Sequence, residues 1–432
     1  MSISFAIFRA ALAALVFAAG SPSWAADPLT LNEAQRIAVL RSRQLVADSA
    51  LASAAREQAV AAGQLPDPVF KAGLNSLPVS GPDRFSLTRD SFTMLSVGVM
   101  QEFTRKDKRN ARSARFDREA EAAEAGRVVA LTRLRRDTAS AWLDRYYQER
   151  IQDVLNTQRA EASLQIEAAD AAYRGGRGTQ ADVFAARSAV AQIDDRIRRN
   201  ESQVAMAKTR LARWVGDDGD RAIGAPPGLT EVPLEAGNLE TQLEHHPRIA
   251  FMARQEAVAR AEADIAQSNK QSDWSVELTY SQRGPAYSNM ISLNLSIPLQ
   301  WDRKNRQDRE LAAKLALAEQ IRAQREEATR EDVAEVRSWL QEWQGNRDRL
   351  VIFDKALMPL AAERTRAALA AYRGGSGPLS AVLEARRTEI DTRLDRLRLE
   401  METASLWAQL NYLIPSGLDV AALDRSNAAT EK

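Results

Sequence analysis

The sequence lacks cysteine altogether, and this limits how the folded protein can be held together. Without cysteine there is no disulfide, no thiolate metal cage and no lipid anchored on an N-terminal cysteine. Histidine is almost absent as well, with only 2 residues in 432, and those two are adjacent. Neighbouring side chains on a helix point about 100° apart, so His245 and His246 make a poor shared site. The sequence therefore predicts no resident metal and no cofactor.

The sequence also lacks an excess of charge of one sign. It has 59 basic and 58 acidic residues, so the electrostatic footprint of a nucleic-acid-binding protein is missing and no nucleic-acid partner is expected. After the N-terminus, no stretch approaches the roughly 20 apolar residues of a transmembrane helix. No nucleophile elbow, phosphate loop or zinc motif occurs. We therefore expect no catalytic residues and no enzyme activity.

Residues 1–25 have the pattern of a secretory signal peptide. Arg9 precedes the apolar segment 10–19, and Ser23-Trp24-Ala25 places small residues where a signal peptidase reads them. The segment is too short to span a membrane. A buried N-terminal helix is the alternative. We expect export from the cytoplasm and cleavage after Ala25.

The chain contains an internal duplication. Residues 171–178 return 199 residues later as 370–377, and residues 101–106 return 198 residues later as 299–304. Similar offsets at separate landmarks indicate a duplicated unit of roughly 200 residues rather than a short solenoid repeat. We assign the first repeat to residues 26–237, the second to 238–415, and a flexible polar tail to 416–432.

Each repeat is predicted to run helix, β-hairpin, long helix, glycine turn, helix. Alanine-rich, charge-rich stretches with few aromatic residues favour long helices, and alternating apolar and polar residues favour strands. The predicted strands are 69–74, 92–103, 274–281 and 290–299. The predicted long helices are 105–172, 179–214, 302–371 and 378–413, with disturbances near Gly126 and Pro359, and shorter helices at about 29–65 and 239–271 precede the hairpins. The fold class is thus mainly α with a small β part.

The predicted strands are apolar on one face and carry small polar residues on the other. This pattern suits a barrel in lipid with a wet interior, and it equally suits a soluble sheet with one buried face. Two hairpins supply only four strands, whereas the smallest useful barrel takes about eight. An open sheet edge in lipid leaves backbone groups unpaired. If these strands cross a membrane, several copies of the chain must share one barrel.

Over residues 29–414 the sequence resembles the TolC family of outer-membrane efflux channels. The resemblance rests on the duplicated plan and on the glycine turns Tyr173-Arg174-Gly175-Gly176 and Tyr372-Arg373-Gly374-Gly375. More specific are the segments 63–68 (GQLPDP), 77–79 (LPV) and 97–103 (VGVMQEF). These segments resemble the CzcC-like branch, which serves heavy-metal pumps of the resistance-nodulation-division (RND) type.

The resemblance implies a homotrimer in the outer membrane. Four strands from each of three chains would form one twelve-stranded barrel in lipid, continued by a periplasmic α-helical tunnel. It further implies a passive exit duct, with a periplasmic adaptor protein and an inner-membrane RND pump as partners. Heavy-metal cations are the expected cargo, and drugs or proteins in type I secretion are the alternatives. A periplasmic coiled-coil scaffold without a pore is the alternative outside this fold.

The resemblance places the adaptor-docking surface at the two glycine turns, which would form the closed lower tip. The residues assigned to it are Tyr173, Arg174, Gly175, Gly176, Gly178, Tyr372, Arg373, Gly374, Gly375 and Gly377. Bare glycine lets a partner's backbone approach closely. Glycine also permits the left-handed conformation of a turn between helices, so a purely structural role is the alternative.

A gate near these turns is expected to use Asp182 and Glu384. Carboxylates arranged as a ring in a pore select cations and repel anions. Arg174 and Arg373 would pair with these acids and latch the closed state. The alternative is that Asp182 only stabilises the N-terminus of its helix, and position 381, its equivalent in the second repeat, is alanine.

Overall fold

The computed structural model describes residues 27–235, 237–244 and 246–415. The predicted signal peptide with its cleavage site, the tail at 416–432 and His245 lie outside these residues. The described chain is mainly helical with one four-stranded sheet, so the predicted fold class is confirmed. Both repeats show the predicted order of helix, hairpin, long helix, glycine turn and helix.

The first repeat begins with a broken helix where the sequence predicts a continuous one. Helix α1 (Leu31–Arg41) and helix α2 (Arg43–Ala62) are separated at Ser42, whose backbone is extended. The hydroxyl of Ser42 accepts a hydrogen bond from the N–H of Leu45 and so caps α2. The rest of the repeat comprises β1 (Val69–Asn75), β2 (Met94–Phe103), α3 (Lys106–Arg174), α4 (Gln180–Val215) and a 3₁₀ turn (Gly216–Asp220).

Helix α3 contains 69 residues and continues through Gly126, so the predicted disturbance there is wrong. A Cβ at Gly126 would lie 3.3 Å from the ring of Phe251. The glycine therefore makes room for an aromatic side chain from a neighbouring helix and does not interrupt its own. At 1.5 Å per residue the helix is about 100 Å long.

The second repeat has more interruptions than the first. Its elements are α5 (Leu239–Leu243), α6 (Pro247–Ser268), β3 (Trp274–Gln282), β4 (Met290–Ser296), α7 (Gln307–Ile352), a π-helical turn (Phe353–Leu357), α8 (Met358–Arg373) and α9 (Leu379–Asn411). The predicted helix over 239–271 breaks before Pro247, which occupies the first position of α6, where its missing N–H costs nothing.

Two further prolines set boundaries in this repeat. Strand β4 ends at Ser296, short of the predicted 299, because Pro298 has no N–H to donate to a ladder. Helix α7 starts at Gln307, five residues after the predicted 302. The predicted disturbance at Pro359 is confirmed, because the π-helical turn lies just before it and accommodates the missing N–H.

The four strands form one antiparallel sheet in the order β1-β2-β3-β4. Its central ladder joins the two repeats, and it runs from Leu95 opposite Gln282 to Phe103 opposite Trp274. The rings of Phe103 and Trp274 stack with centroids 4.3 Å apart. Strands β1 and β4 are the outer strands of the sheet.

The helices lie side by side below the sheet in a fixed order. Near the sheet the order is α2, α3, α6, α7, and towards the glycine turns it is α4, α3, α9, α8. The largest apolar cluster lies between these levels and includes Trp142, Trp343 and Trp407. The indole of Trp142 is fully buried and donates a hydrogen bond of 2.9 Å to the carbonyl oxygen of Leu29.

Candidate functional site

One face of the sheet is apolar across all four strands and is exposed in the single chain. The register aligns Phe70, Val99, Leu278 and Leu293 in one row across the sheet. Phe70 and Leu293 are 71% and 72% exposed, so nothing within the described chain covers this row. The same face carries Leu74, Leu95, Val97, Tyr280, Ile291 and Leu295. A contiguous exposed apolar surface of this kind marks a contact with lipid or with another protein.

The opposite face of the sheet is polar and internally hydrogen-bonded. Nζ of Lys71 on β1 lies 2.8 Å from Oε2 of Glu277 on β3, and this ion pair crosses the intervening strand β2. The hydroxyls of Ser96 and Ser281 lie 2.9 Å apart. The alternation within each strand predicts a polar face. Which side chains pair on that face depends on the register of three strands. The Lys71–Glu277 pair was therefore missed, although both charged residues are visible in the strand pattern.

Gly98 lies beneath this ion pair at the point where β2 and β3 approach closely. A Cβ at position 98 would lie 2.7 Å from Oγ1 of Thr279 and 2.8 Å from the carbonyl oxygen of Leu278. Such distances are not tolerated, so glycine is required at this position. Gly73 is on the same face of β1, and a Cβ there would meet nothing within 4 Å.

The chain has two lateral edges that run from the sheet to the glycine turns. One edge consists of β1, α2 and α4, and the other consists of β4, α7 and α8. Neither β1 nor β4 has a second strand partner in the described chain. The two edges thus differ in the elements that form them.

The two glycine turns have the same backbone geometry. Gly176 and Gly375 have φ values of +70° and +74°, which L side chains rarely adopt. The N–H groups of Arg177 and Ser376 each donate a 2.9 Å hydrogen bond to the carbonyl oxygen five residues earlier. These bonds end the preceding helix in the same way in both repeats.

The remaining glycines of the turns differ in how much space surrounds them. A Cβ at Gly178 or Gly377 would lie 3.2 or 3.1 Å from an alanine Cβ of the preceding helix, so these positions need a small residue. Gly175 and Gly374 have φ values of −81° and −78°, which any residue adopts. Glycine at these last two positions is therefore not required by the turn itself.

The two tyrosines of the turns have different surroundings. Tyr173 is 47% exposed, whereas Tyr372 is half-buried against an apolar cluster containing Leu379 and Val382. Arg174 and Arg373 are exposed. The predicted docking residues thus form two exposed turns at one end of the helices, and their part in docking stays a prediction.

Asp182 closes a capping box at the start of α4. Its carboxylate accepts hydrogen bonds from the N–H of Thr179 at 2.9 Å and from the Thr179 hydroxyl at 2.7 Å. The backbone N–H and then the hydroxyl of Thr179 hold the pKa of Asp182 below its ordinary value. These bonds establish the helix-stabilising role of Asp182 within the chain.

The predicted latch between Arg174 and Asp182 is wrong within the chain. Arg174 pairs with Asp170 one turn earlier on α3, because residues four apart on a helix are neighbours. Glu384 is exposed on α9 and lines a cavity of about 300 Å³ between α3, α4 and α9. The gate of Asp182 and Glu384 stays a prediction, and so does the pairing of Arg373 with these acids.

Asp273 joins the second hairpin to the start of α3. It accepts a hydrogen bond of 2.7 Å from Nζ of Lys108 and one of 3.0 Å from the N–H of Arg105. Burial opposes ionisation of Asp273, but these two hydrogen bonds outweigh it and hold its pKa below the ordinary value. The two bonds connect the residue before β3 to the first turn of α3. A lone Asp before a strand gives no sequence signal of such a partner.

Among residues 27–235, 237–244 and 246–415, no three His, Asp or Glu side chains converge on a possible metal position. None of the helices in this part of the chain is both long and apolar enough to cross a membrane.

No family model and no curated protein matches the sequence. Solved structures match in fold. The outer membrane protein VceC from Vibrio cholerae has 20% sequence identity and a TM-score of 0.73, and the match covers 89% of this chain and 95% of VceC. The open state of the MtrE outer membrane channel of Neisseria gonorrhoeae has 16% identity and a TM-score of 0.72, covering 90% and 89%. CusC, whose folding and transmembrane channel formation have been described structurally, has 15% identity and a TM-score of 0.71, covering 89% and 92%.

These matches show that the chain has the fold of the outer-membrane channels. They extend over both repeats, from the sheet to the glycine turns, because they cover about nine-tenths of the chain. They agree with the resemblance to the TolC family, whereas the heavy-metal branch stays a prediction.

Proposed function

We propose that this protein is the outer-membrane channel of a tripartite efflux system. Three copies surround one aqueous duct that starts in the periplasm and crosses the outer membrane. The protein performs no chemical step, and an inner-membrane RND pump supplies the energy. The observation that carries this proposal is the sheet, with one exposed apolar face, one polar face and two unpaired edges.

The sheet favours lipid on its apolar side and water on its polar side. A row of residues such as Phe70, Val99 and Leu278 is costly to expose to water, at roughly 25 cal/mol per Å² of apolar surface. The polar face carries the Lys71–Glu277 pair and serine hydroxyls, which water solvates readily. Alternation of this kind is what a barrel with a wet lumen requires.

The two lateral edges favour assembly of several chains into a closed ring. In lipid the free edges of β1 and β4 must pair, because no water is present to satisfy their backbone groups. Joining β4 of one copy to β1 of the next does this for every copy and leaves no free edge. Three copies give a twelve-stranded barrel, large enough for an aqueous lumen. The fold shared with known outer-membrane channels supports this count.

The glycine turns are proposed as the docking surface for a periplasmic adaptor. They lie at the end of the helices farthest from the sheet, they are exposed, and their glycines leave backbone accessible. Gly175 and Gly374 support this reading best, because the turn does not itself require glycine there. Asp182 and Glu384 lie near the same end and are proposed to contribute negative charge to the constriction.

Heavy-metal cations are the proposed cargo. The support is the resemblance of the segments 63–68, 77–79 and 97–103 to the CzcC-like branch. Drugs, or proteins in type I secretion, are the alternatives. A deletion strain challenged separately with zinc, cobalt, cadmium, copper and silver, and with a panel of drugs, distinguishes them. Sensitivity confined to drugs would contradict the metal assignment.

The experiment that tests the duct is reconstitution of the purified protein into planar bilayers. We expect a trimer in detergent and a measurable conductance, whose preference for cations over anions falls when Asp182 and Glu384 are replaced by Asn and Gln. A protein that stays monomeric in water without detergent would contradict the proposal. A trimer that never conducts, even with these acids neutralised, would favour the scaffold without a pore.

A further inference from the structure

The polar face of the sheet carries few charges. Within the four strands, three charged side chains belong to this face, namely Lys71 on β1, Glu102 on β2 and Glu277 on β3, and the apolar face has none. The other side chains of the polar face are uncharged, and serine is the most frequent among them. The charge of this face therefore depends on how these three residues are arranged.

The two acidic residues are diagonal neighbours across β2 and β3. Glu102 lies directly opposite Ser275, which precedes Glu277 by two residues and belongs to the same face of β3. Diagonal neighbours in an antiparallel pair are about 7–8 Å apart, which is within reach of long side chains. Without a cation beside them, these two carboxylates would form one patch of negative charge.

Lys71 engages the carboxylate of Glu277 by reaching over Gly98. Lys71 is directly opposite Gly98 in the register, whereas Glu277 is opposite Met100 on the far side of the same strand. Because position 98 has no side chain, Nζ of Lys71 crosses β2 and lies 2.8 Å from Oε2 of Glu277. Oε1 of Glu277 accepts a hydrogen bond of 3.3 Å from the hydroxyl of Thr279. Both carboxylate oxygens are thus engaged within the chain.

The Lys71–Glu277 pair is in contact with solvent. The two side chains are 45% and 27% exposed. Exposed ion pairs contribute little to the stability of a fold, because water solvates the separate charges well. The electrostatic potential that such a pair presents to solvent does change when one partner is removed. The main consequence of the pair is therefore the charge of the polar face.

We infer that Lys71 determines the charge selectivity of the barrel lumen. It cancels the charge of Glu277, so that the strands of each chain add one net negative charge to the wall instead of two. The inference rests on the proposed function, in which the polar face lines the lumen. It goes beyond that function by naming the residue that sets which ions the wall attracts. A wall of low charge lets cationic cargo pass, whereas an unpaired Glu277 beside Glu102 would concentrate cations there.

The absence of cysteine allows the local charge to be measured with a single introduced thiol. Asn294 on β4 is directly opposite Glu277 and is exposed. The purified trimer of the Asn294→Cys variant is treated with a cationic and with an anionic methanethiosulfonate of similar size. Each rate is divided by the rate for a small free thiol. The ratio of the cationic to the anionic rate then reports the electrostatic potential beside Glu277.

Added to Asn294→Cys, the change Lys71→Met should raise this ratio about tenfold at low salt, because it leaves a negative charge unpaired close to the thiol. Glu277→Gln should lower the ratio, since Lys71 then has no partner. Lys71→Met together with Glu277→Gln should return it close to its starting value, and Lys71→Arg should leave it there. At about 1 M KCl, where the screening length is about 3 Å, the differences should largely disappear.

The matched control is Lys355→Met, which removes the same charge from an exposed position of the π-helical turn and should leave the ratio unchanged. Equal ratios for Lys71→Met and Lys355→Met in conducting trimers would overturn the inference and leave the channel intact. If Lys71→Met does not assemble, Glu277→Gln decides, and an unchanged ratio in that variant has the same meaning.

Two further outcomes separate the inference from the proposed function. A thiol at position 294 that neither reagent reaches, in a trimer that conducts, would overturn the inference, because the polar face would then not line the water-filled lumen. A protein that stays monomeric in water without detergent would overturn the proposed function and the inference together.

Discussion

The two repeats follow the same backbone path at the tip, yet different residues start the helix after each turn. In the first repeat Thr179 and Asp182 form a capping box at the start of α4. In the second repeat Pro378 occupies the cap position of α9 without a side-chain hydrogen bond. Both turns keep a glycine with positive φ, at Gly176 and Gly375. The turn conformation is therefore the feature common to both repeats, and each repeat has its own way of stabilising the helix that follows.

The same comparison holds along the long helices. Helix α3 is continuous over 69 residues, whereas its counterpart is divided into α7, a π-helical turn and α8 around Pro359. The interrupted helix lies at a lateral edge and the continuous one lies in the interior of the chain. The two repeats therefore have similar backbones, but their long helices have different neighbours and different side chains.

The largest expected effect concerns a glycine in the sheet of the first repeat. In the second repeat the matched position, 198 residues after Gly98, is Ser296. Gly98→Ser makes the repeats alike but puts a Cβ 2.7 Å from Oγ1 of Thr279. Overpacking of this kind costs about 1–3 kcal/mol. We expect a lower thermal midpoint of the detergent-solubilised protein, followed by circular dichroism.

Gly73→Ser is the matched control for this change. It adds the same hydroxymethyl group on the same face of the sheet, where a Cβ meets nothing within 4 Å. Its thermal midpoint should stay close to that of the wild type. Equal losses in both variants would show that the close approach of β2 and β3 at Gly98 is not what requires glycine.

The next largest effect distinguishes glycines that the turn conformation requires from a glycine that is free to serve docking. Gly176→Val and Gly375→Val force a β-branched residue to positive φ, which costs about 1–2 kcal/mol for any L-residue. Gly374→Ala has an ordinary φ of −78°, and its Cβ lies 3.4 Å from the nearest heavy atom. We expect the Val variants to lose local protection from hydrogen exchange at the turn and Gly374→Ala to keep it.

Cross-linking to the adaptor then tests whether the exposed backbone of the turn is a docking surface. If the adaptor packs against exposed backbone, Gly374→Ala should lower the cross-linking yield although the turn is intact. Normal cross-linking and normal resistance in this variant would count against docking of the adaptor on the bare backbone at Gly374.

A smaller effect concerns the capping box. Thr179→Ala removes the side-chain oxygen that accepts the N–H of Asp182, which costs about 1 kcal/mol. We expect faster hydrogen exchange in the first turn of α4 and no change in α9. The reverse change, Pro378→Thr with Ala381→Asp, gives the second repeat a capping box and should slow exchange in the first turn of α9. No gain in α9 would indicate that something other than these two residues sets helix stability at the tip.

Sequence patterns predicted the elements that depend on local physics. Alternation of apolar and polar residues located the second hairpin, and the missing N–H of Pro359 indicated where the long helix of the second repeat is disturbed. The same argument failed at Gly126, because this glycine makes room for the ring of Phe251 on another helix. Helix propensity alone cannot distinguish a glycine that breaks a helix from one that makes room.

Contacts between distant segments could not be predicted in this way. The Lys71–Glu277 pair depends on the register of β1, β2 and β3, and β3 is contributed by the other repeat. Arg174 pairs with Asp170, which is nearer to it along the sequence than the predicted partner Asp182. In both cases the residue types were visible and the geometry was not.

The smallest expected effect is a pH dependence that the two tips do not share. The pKa of Asp182 is lowered by the Thr179 N–H and hydroxyl, so its ionised form stabilises α4 above the ordinary carboxyl pKa. This stabilisation is lost as pH falls through the lowered pKa, because the folded carboxylate must then take up a proton. The side chain is near solvent, so the effect is modest. Exchange in the first turn of α4 should accelerate at acidic pH, relative to intrinsic rates, in the wild type. Asp182→Asn should remove that acceleration. The first turn of α9 has Ala381 at the matched position, so it has no carboxylate there to cause an acceleration.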